Sequence, residues 1–153
     1  MTNVNRFNII EHLVEKFTAD DRYYLLVCDC GFAKVDILQK LFPDRVINCG
    51  IMEQGTVGIA SGMAKAGLKP IIFSIASFIV FRALEQIRID IVQMSRDVKI
   101  IGSGAGDYFK GLGKCHQTKN EDIAVLNAIG MPVFMADGFE AWIESNEAGY
   151  MRV

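Results

Sequence analysis

The apolar positions of this 153-residue chain alternate between two periods. From Phe7 to Phe17 they recur at helical spacing, with Ile9, Ile10, Leu13, Val14 and Phe17 on one face, which predicts an amphipathic helix. Tyr23 to Val27 is instead a continuous apolar run, the mark of a strand buried on both faces. A short helix over Val35 to Phe42, stopped by Pro43, leads into a strand over Arg45 to Asn48. A helix over Glu53 to Ala66 closes on Gly67, a strand follows over Lys69 to Ser74, and the longest helix spans Phe78 to Met94. The rest of the pattern predicts a strand over Val98 to Gly102, a helix over Glu121 to Ile129 and a strand over Pro132 to Met135. A helix from Phe139 to about Glu147 and a last strand over Tyr150 to Val153 complete it. Ser103 to Asn120 interrupts the alternation with a long loop carrying Gly104, Gly106, Gly111 and Gly113, and loops of that length in a compact domain are usually functional.

Strands alternating with helices predict an α/β fold of three layers, a doubly wound and mostly parallel sheet with helices on both faces. Residues 1–153 read as one domain, with no linker, repeat or low-complexity segment. Ligands of such sheets bind beyond the carboxyl ends of the strands. Asp29, the turn from Gly50 to Glu53, Ser74 to Phe78 and the 103–120 loop all fall at such ends.

Composition narrows the function. Hydrophobic residues make up 51% of the chain and charged residues 22%, which predicts apolar surface that a partner covers. A net charge of −2 without any basic run gives no electrostatic case for nucleic acid. The segment Met1 to Asn8 lacks the apolar core of a signal peptide, and no apolar stretch is long enough to span a membrane, so a cytoplasmic protein is expected. Cys28, Cys30, Cys49 and Cys115 lack redox or zinc spacing, so they are expected to be reduced thiols packed as small hydrophobes, with no metal site on this chain.

Glu53 is the first candidate for chemistry. It follows the turn Asn48-Cys49-Gly50-Ile51-Met52 and opens a helix rich in small residues that can pack closely against something else. A carboxylate held there is a candidate proton handler. The alternative is an acid stabilised by the helix macrodipole.

Three stretches occur in a telling order. The first is Gly50-Ile51-Met52-Glu53-Gln54 with its helix, then Gly67-Leu68-Lys69-Pro70 and a strand; the second is Ser77-Phe78 through Phe81-Arg82-Ala83-Leu84-Glu85-Gln86. The third is Gly111-Leu112-Gly113-Lys114-Cys115-His116-Gln117 with Glu121 to Ala124 behind it, and Tyr150 to Val153 is similar to a closing strand. Together they resemble the pyrimidine-binding domain of the transketolase-type thiamine diphosphate enzymes, over nearly the whole chain.

That resemblance implies roles. Glu53 corresponds to the carboxylic group that hydrogen-bonds N1′ of the aminopyrimidine and thereby turns the 4′-amino group into a base. Phe78 and Phe81 would form the aromatic wall, Phe81 being the better match to the stacking residue, although two phenylalanines at that spacing also suit a plain core. Ile51 would line the same cofactor pocket, and Asp29 would lie near the thiazolium. Arg82 is similar to the arginine of the deoxyxylulose phosphate synthase branch that binds a phosphorylated substrate; a salt bridge to Glu85 or Glu11 is the alternative. His116 and Gln117 would face the substrate, with His116 exchanging a proton at its carbonyl. Lys114 and Cys115 depart from the family's Pro-Thr, which bears on the substrate more than on the cofactor.

The family holds the diphosphate and its Mg2+ on another domain marked by Gly-Asp-Gly, whereas this chain has Gly104-Ala105-Gly106-Asp107. The resemblance therefore implies a second, diphosphate-binding subunit, in a heterotetramer of two plus two. The activity implied is thiamine diphosphate-dependent transfer of a two-carbon ketol unit between phosphorylated sugars or aldehydes. The alternatives are a 2-oxo-acid decarboxylating and condensing subunit, similar to deoxyxylulose phosphate synthase, or a non-catalytic regulatory subunit.

Overall fold

The computed structural model describes residues 4, 5 and 7–153. Residues 1–3 and 6, part of the polar N-terminal segment, lie outside the described residues. Six strands form one sheet: β1 (Tyr23–Val27), β2 (Val46–Asn48), β3 (Lys69–Ile75), β4 (Lys99–Ser103), β5 (Val133–Met135) and β6 (Gly149–Arg152). Their order is β2-β1-β3-β4-β6-β5 and every pairing is parallel, so all carboxyl ends share one edge. The order reverses between β1 and β3, which opens the crevice where ligands of such sheets sit.

Each strand sends alternate residues to opposite faces, which produces two cores. Leu25, Val27, Ile71, Phe73, Ile101 and Met151 pack under α1 (Ile9–Ala19), α2 (Val35–Leu41) and α7 (Phe139–Glu144). Leu26, Ile72, Ile100 and Tyr150 pack on the other side under α3 (Glu53–Lys65), α4 (Ala76–Arg82) and α6 (Glu121–Ala128). Each fully buried aliphatic side chain contributes about 1.5–3 kcal/mol. Trp142 of α7 is completely buried and donates its Nε1–H to the Gly149 carbonyl at 2.9 Å. A Cβ on Gly149 would lie 2.7 Å from that indole, so only glycine fits at the start of β6.

Two elements differ from the periodicity. The helix expected over Phe78 to Met94 begins two residues earlier and breaks at Ala83 (φ −120°, ψ 19°). It continues as α5 (Leu84–Gln86) and a π-helical segment, Ile87–Gln93. The wider turns are tied to α3, whose Ser61 hydroxyl donates to the Asp90 carbonyl at 2.7 Å, while Ile87 and Ile91 stay buried. The 103–120 loop is also more ordered than its glycines suggest. Gly106 and Thr118 form an antiparallel bridge, and two 3-10 turns, Lys110–Leu112 and Lys114–His116, fold the loop tip. Among the described residues no helix is long and apolar enough to cross a membrane.

Candidate active site at the carboxyl edge of the sheet

The site begins with Asn48, the last residue of β2. Its side-chain oxygen accepts from the Gly50 amide at 2.9 Å and from the Asp29 amide at 3.3 Å, and its Nδ2 donates to Asp29 Oδ1 at 3.2 Å. This stitches the end of β1 to the glutamate turn. Asp29 (φ 47°) and Gly50 (φ 72°) both adopt left-handed backbone there, free of strain for the glycine and costly for the aspartate. Past the turn, Glu53 opens α3 with its side chain only 4% exposed. It is a buried carboxylate at a helix N-terminus, which satisfies both readings of the sequence.

Arg82 forms an ion pair with it: Nη1 donates to Glu53 Oε1 at 2.8 Å, and neither Glu85 nor Glu11 is its partner. Oε2 of Glu53 has no hydrogen-bond partner among the described residues. The Arg82 guanidinium also lies 3.6 Å over the Phe78 ring, whose other neighbour is the His116 imidazole at 4.7 Å between centroids. Glu53, Arg82, Phe78 and His116 thus form one continuous cluster drawn from α3, α4 and the loop. Phe81, one turn on, is 46% exposed and joins no ring contact in the cluster.

An open cavity of about 520 Å³ adjoins the carboxylate, lined by Ile51, Met52, Glu53, Gln54, Gly55 and Arg82. A second cavity, about 310 Å³ and mainly apolar, lies at the β1/β3 crevice, where Asp29, Phe32, Lys34, Phe73 and Phe109 face it. Ile51 (72% exposed) stands at the rim of the first cavity and Asp29 in the second, so the structure separates these two from the central cluster. Gln117 is half-buried just after the second 3-10 turn, its amide donating to the Lys114 carbonyl at 3.2 Å.

The residues that anchor His116 carried no signal in the periodicity. The Ser77 hydroxyl, at the start of α4, donates to the Cys115 carbonyl at 2.8 Å and pins the loop beside Phe78. The base of the loop rests on Asp122, which is fully buried. Its carboxylate accepts from the Tyr150 hydroxyl at 2.8 Å and the Thr118 hydroxyl at 3.1 Å, and lies 3.4 Å from Arg152 Nε. Burial and then the Asp122 carboxylate push the Tyr150 phenol well above its usual range. Gly102 makes room for that phenol, since a Cβ there would lie 2.2 Å from the Tyr150 oxygen. Thr118 and Asp122 are four residues apart, a spacing that suggests a shared helix face but not a buried carboxylate.

The cysteines are inert. All four are free thiols; burial pushes Cys28 up to about 11 and Cys30 up to about 12. Cys115 is exposed, with Sγ 3.3 Å from His116 Nδ1. Among the described residues no group of three or more His, Cys, Asp or Glu side chains could hold a metal ion.

Known proteins share this architecture. The family described as "Transketolase, pyrimidine binding domain" matches residues 29–138. The chain is 38% identical over 97 residues to one of the two apulose-4-phosphate transketolase subunits of Phocaeicola vulgatus, covering 63% of this chain and 31% of that protein. It is 43% identical over 72 residues to the 1-deoxy-D-xylulose-5-phosphate synthase of Rhodobacter capsulatus, covering 47% of this chain and 11% of that enzyme. A solved split gene transketolase, an inactive beta4 tetramer, superposes with a TM-score of 0.82 at 29% identity, over 96% of this chain and 50% of that one. The chain thus spans about a third of the length of the apulose-4-phosphate transketolase relatives it matches. From the match over residues 29–138, the parallel sheet and the glutamate turn at its carboxyl edge, the chain belongs to the transketolase family and carries its pyrimidine-binding domain.

Proposed function

We propose that this chain is the pyrimidine-binding subunit of a split, thiamine diphosphate-dependent transketolase-like enzyme that transfers a two-carbon ketol unit between phosphorylated sugars or aldehydes. The observation that carries it is Glu53: a carboxylate 4% exposed, with Oε2 unbonded, beside a cavity of about 520 Å³ and close to an aromatic ring. That donor set fits the aminopyrimidine end of the cofactor, a flat heterocycle with a weakly basic ring nitrogen.

When bound, thiamine diphosphate supplies the nucleophilic carbon that takes up the two-carbon unit. Glu53 would hold a proton at the ring nitrogen N1′. Phe78 would give the ring a flat apolar face, with Ile51 closing the rim and Phe81 exposed toward the partner. His116, braced against Phe78 and held by the Ser77–Cys115 bond, would exchange a proton with the substrate carbonyl oxygen. Gln117 and Arg82 would bind the substrate's polar groups, and Asp29 would face the thiazolium side from the β1/β3 crevice.

The partner belongs to the same reading. Ile51, Met52, Phe81 and Leu112 are all exposed near the carboxyl edge, an apolar border that suits coverage by another chain. We assign the diphosphate and its Mg2+ to that partner, in a cytoplasmic heterotetramer of two plus two serving carbohydrate metabolism. The naming of the apulose-4-phosphate relative as a subunit and the inactivity of the beta4 tetramer support it.

The nearest second reading, a decarboxylating and condensing subunit, is favoured by the cationic Arg82 at the cavity and by the likeness to 1-deoxy-D-xylulose-5-phosphate synthase. Calorimetry with thiamine diphosphate and Mg2+ tests the proposal, first on the chain alone and then with its partner. Tight binding is expected only with the partner, and Glu53→Gln should lower kcat of the assembled complex by roughly 10²–10⁴-fold without disturbing the fold. Unchanged turnover in that variant would favour a regulatory subunit, and a comparison of ketose phosphates with 2-oxo acids as donors separates the two catalytic readings.

A further inference from the structure

The position of Arg82 bears on how the cavity is filled. Its planar, nitrogen-rich guanidinium makes two contacts at once: Nη1 donates to Glu53 Oε1 at 2.8 Å, and the plane lies 3.6 Å from the Phe78 ring. A buried carboxylate oxygen and the face of an aromatic ring are also the two contacts that a planar aminopyrimidine would need here. Arg82 further lines the cavity of about 520 Å³ beside the glutamate. The two groups therefore compete for one place.

We propose that Arg82 is an internal stand-in for the cofactor's aminopyrimidine, a latch that closes the free site and must leave Glu53 and Phe78 before the cofactor can settle. This rests on the reading of Glu53 as the residue that meets the aminopyrimidine. In the free chain the arginine completes the charge balance of a carboxylate that would otherwise be buried without a partner. Arg82 is 41% exposed while Glu53 is 4% exposed, so the arginine is the mobile member of the pair. Once released, a guanidinium at the cavity mouth has no carboxylate to neutralise it and becomes a binding group for an anion. The latch thus couples two events, with cofactor binding freeing the cation that an anionic substrate needs. Coupling of this kind is reciprocal, so an anion that holds Arg82 away must tighten cofactor binding by the same factor.

The test is calorimetry on the assembled complex, with thiamine diphosphate and inorganic phosphate as probes, for the wild type, Arg82→Met and Arg82→Lys. Arg82→Met should bind thiamine diphosphate about 3- to 30-fold more tightly, since the competing charge-assisted bond is gone and its exposure moderates the gain. Arg82→Lys, which keeps the charge but loses the flat stacking surface, should fall between the two. In the wild type, phosphate should bind several-fold more tightly with the cofactor present, and this coupling should vanish in Arg82→Met. If Arg82→Met fails to assemble, the wild-type coupling and Arg82→Lys decide the matter alone. Wild-type binding with no phosphate coupling, or variants that bind the cofactor equally or more weakly, would overturn the latch while leaving Glu53 in its role. A complex in which neither wild type nor variants bind thiamine diphosphate would overturn both.

Discussion

Tyr150 shows how one side chain holds the loop of the candidate site in place. Its hydroxyl donates to the fully buried Asp122, which also bonds Thr118 at the end of the 103–120 loop. Replacing it by Phe keeps the ring over Gly102 but removes a donor from a buried charge, which costs about 1–3 kcal/mol. Tyr150→Phe should therefore lower the stability of the isolated chain to urea by that amount, and it should raise amide exchange at Thr118. An unchanged urea midpoint would mean that Arg152 and Thr118 alone satisfy Asp122. The sequence marks Tyr150 only as the first residue of a strand, because nothing local reports that its hydroxyl reaches a carboxylate 28 residues away. Glu53 was legible for the opposite reason: its turn and its helix N-terminus are local features.

At the scale of elements, α3 carries the site and presents a second surface. Glu53, Thr56, Val57 and Ala60 turn inward, while Gly58, Ile59 and Gly62 face out, and a Cβ added to Gly58 or Gly62 meets nothing within 4 Å. Neither glycine has positive φ, so the helix alone does not require them. Gly58→Ala and Gly62→Ala should each stabilise the isolated chain by about 0.5–1 kcal/mol through helix propensity. If the partner packs on this face, the same variants weaken assembly, which analytical ultracentrifugation of the mixed subunits would register. Stabilisation with full assembly would place the partner elsewhere. The helix expected over 78–94 shows the limit of periodicity at this scale. Its apolar spacing persists through Ile87 and Ile91, yet the backbone breaks at Ala83 and widens, and α3 holds the widened turn through Ser61.

Over the whole molecule, groups buried in uncharged form set the response to alkali. Burial raises Cys28 to about 11 and Cys30 to about 12 from an ordinary 9.0, and Tyr150 is also raised. Folded-state values above the unfolded ones mean that the unfolded chain releases these protons first. The stability they contribute is complete below about pH 9 and is lost progressively as pH rises toward 11 and 12. Urea midpoints should accordingly fall between pH 7.5 and pH 10.5, and less steeply in a Cys28→Ala, Cys30→Ala variant. Equal slopes in the two proteins would show that these thiols are not what alkali attacks.

The alternation of helix and strand, the layered α/β class and the gathering of Asp29, Glu53, Phe78 and His116 at one edge were all readable from the chain. Each follows from local period and from the rule that parallel strands end on the same side. Tertiary structure alone decided the strand order, the pairing of Arg82 with Glu53 instead of Glu85, and the choice of Phe78 over Phe81 as the ring beside His116. It also decided the Asp122–Tyr150 bond beneath the loop. These join residues 28 to 38 positions apart. Their meeting depends on how α3, α4 and β6 pack on the sheet, and a one-dimensional pattern of apolar positions records which face is buried but not what that face will touch.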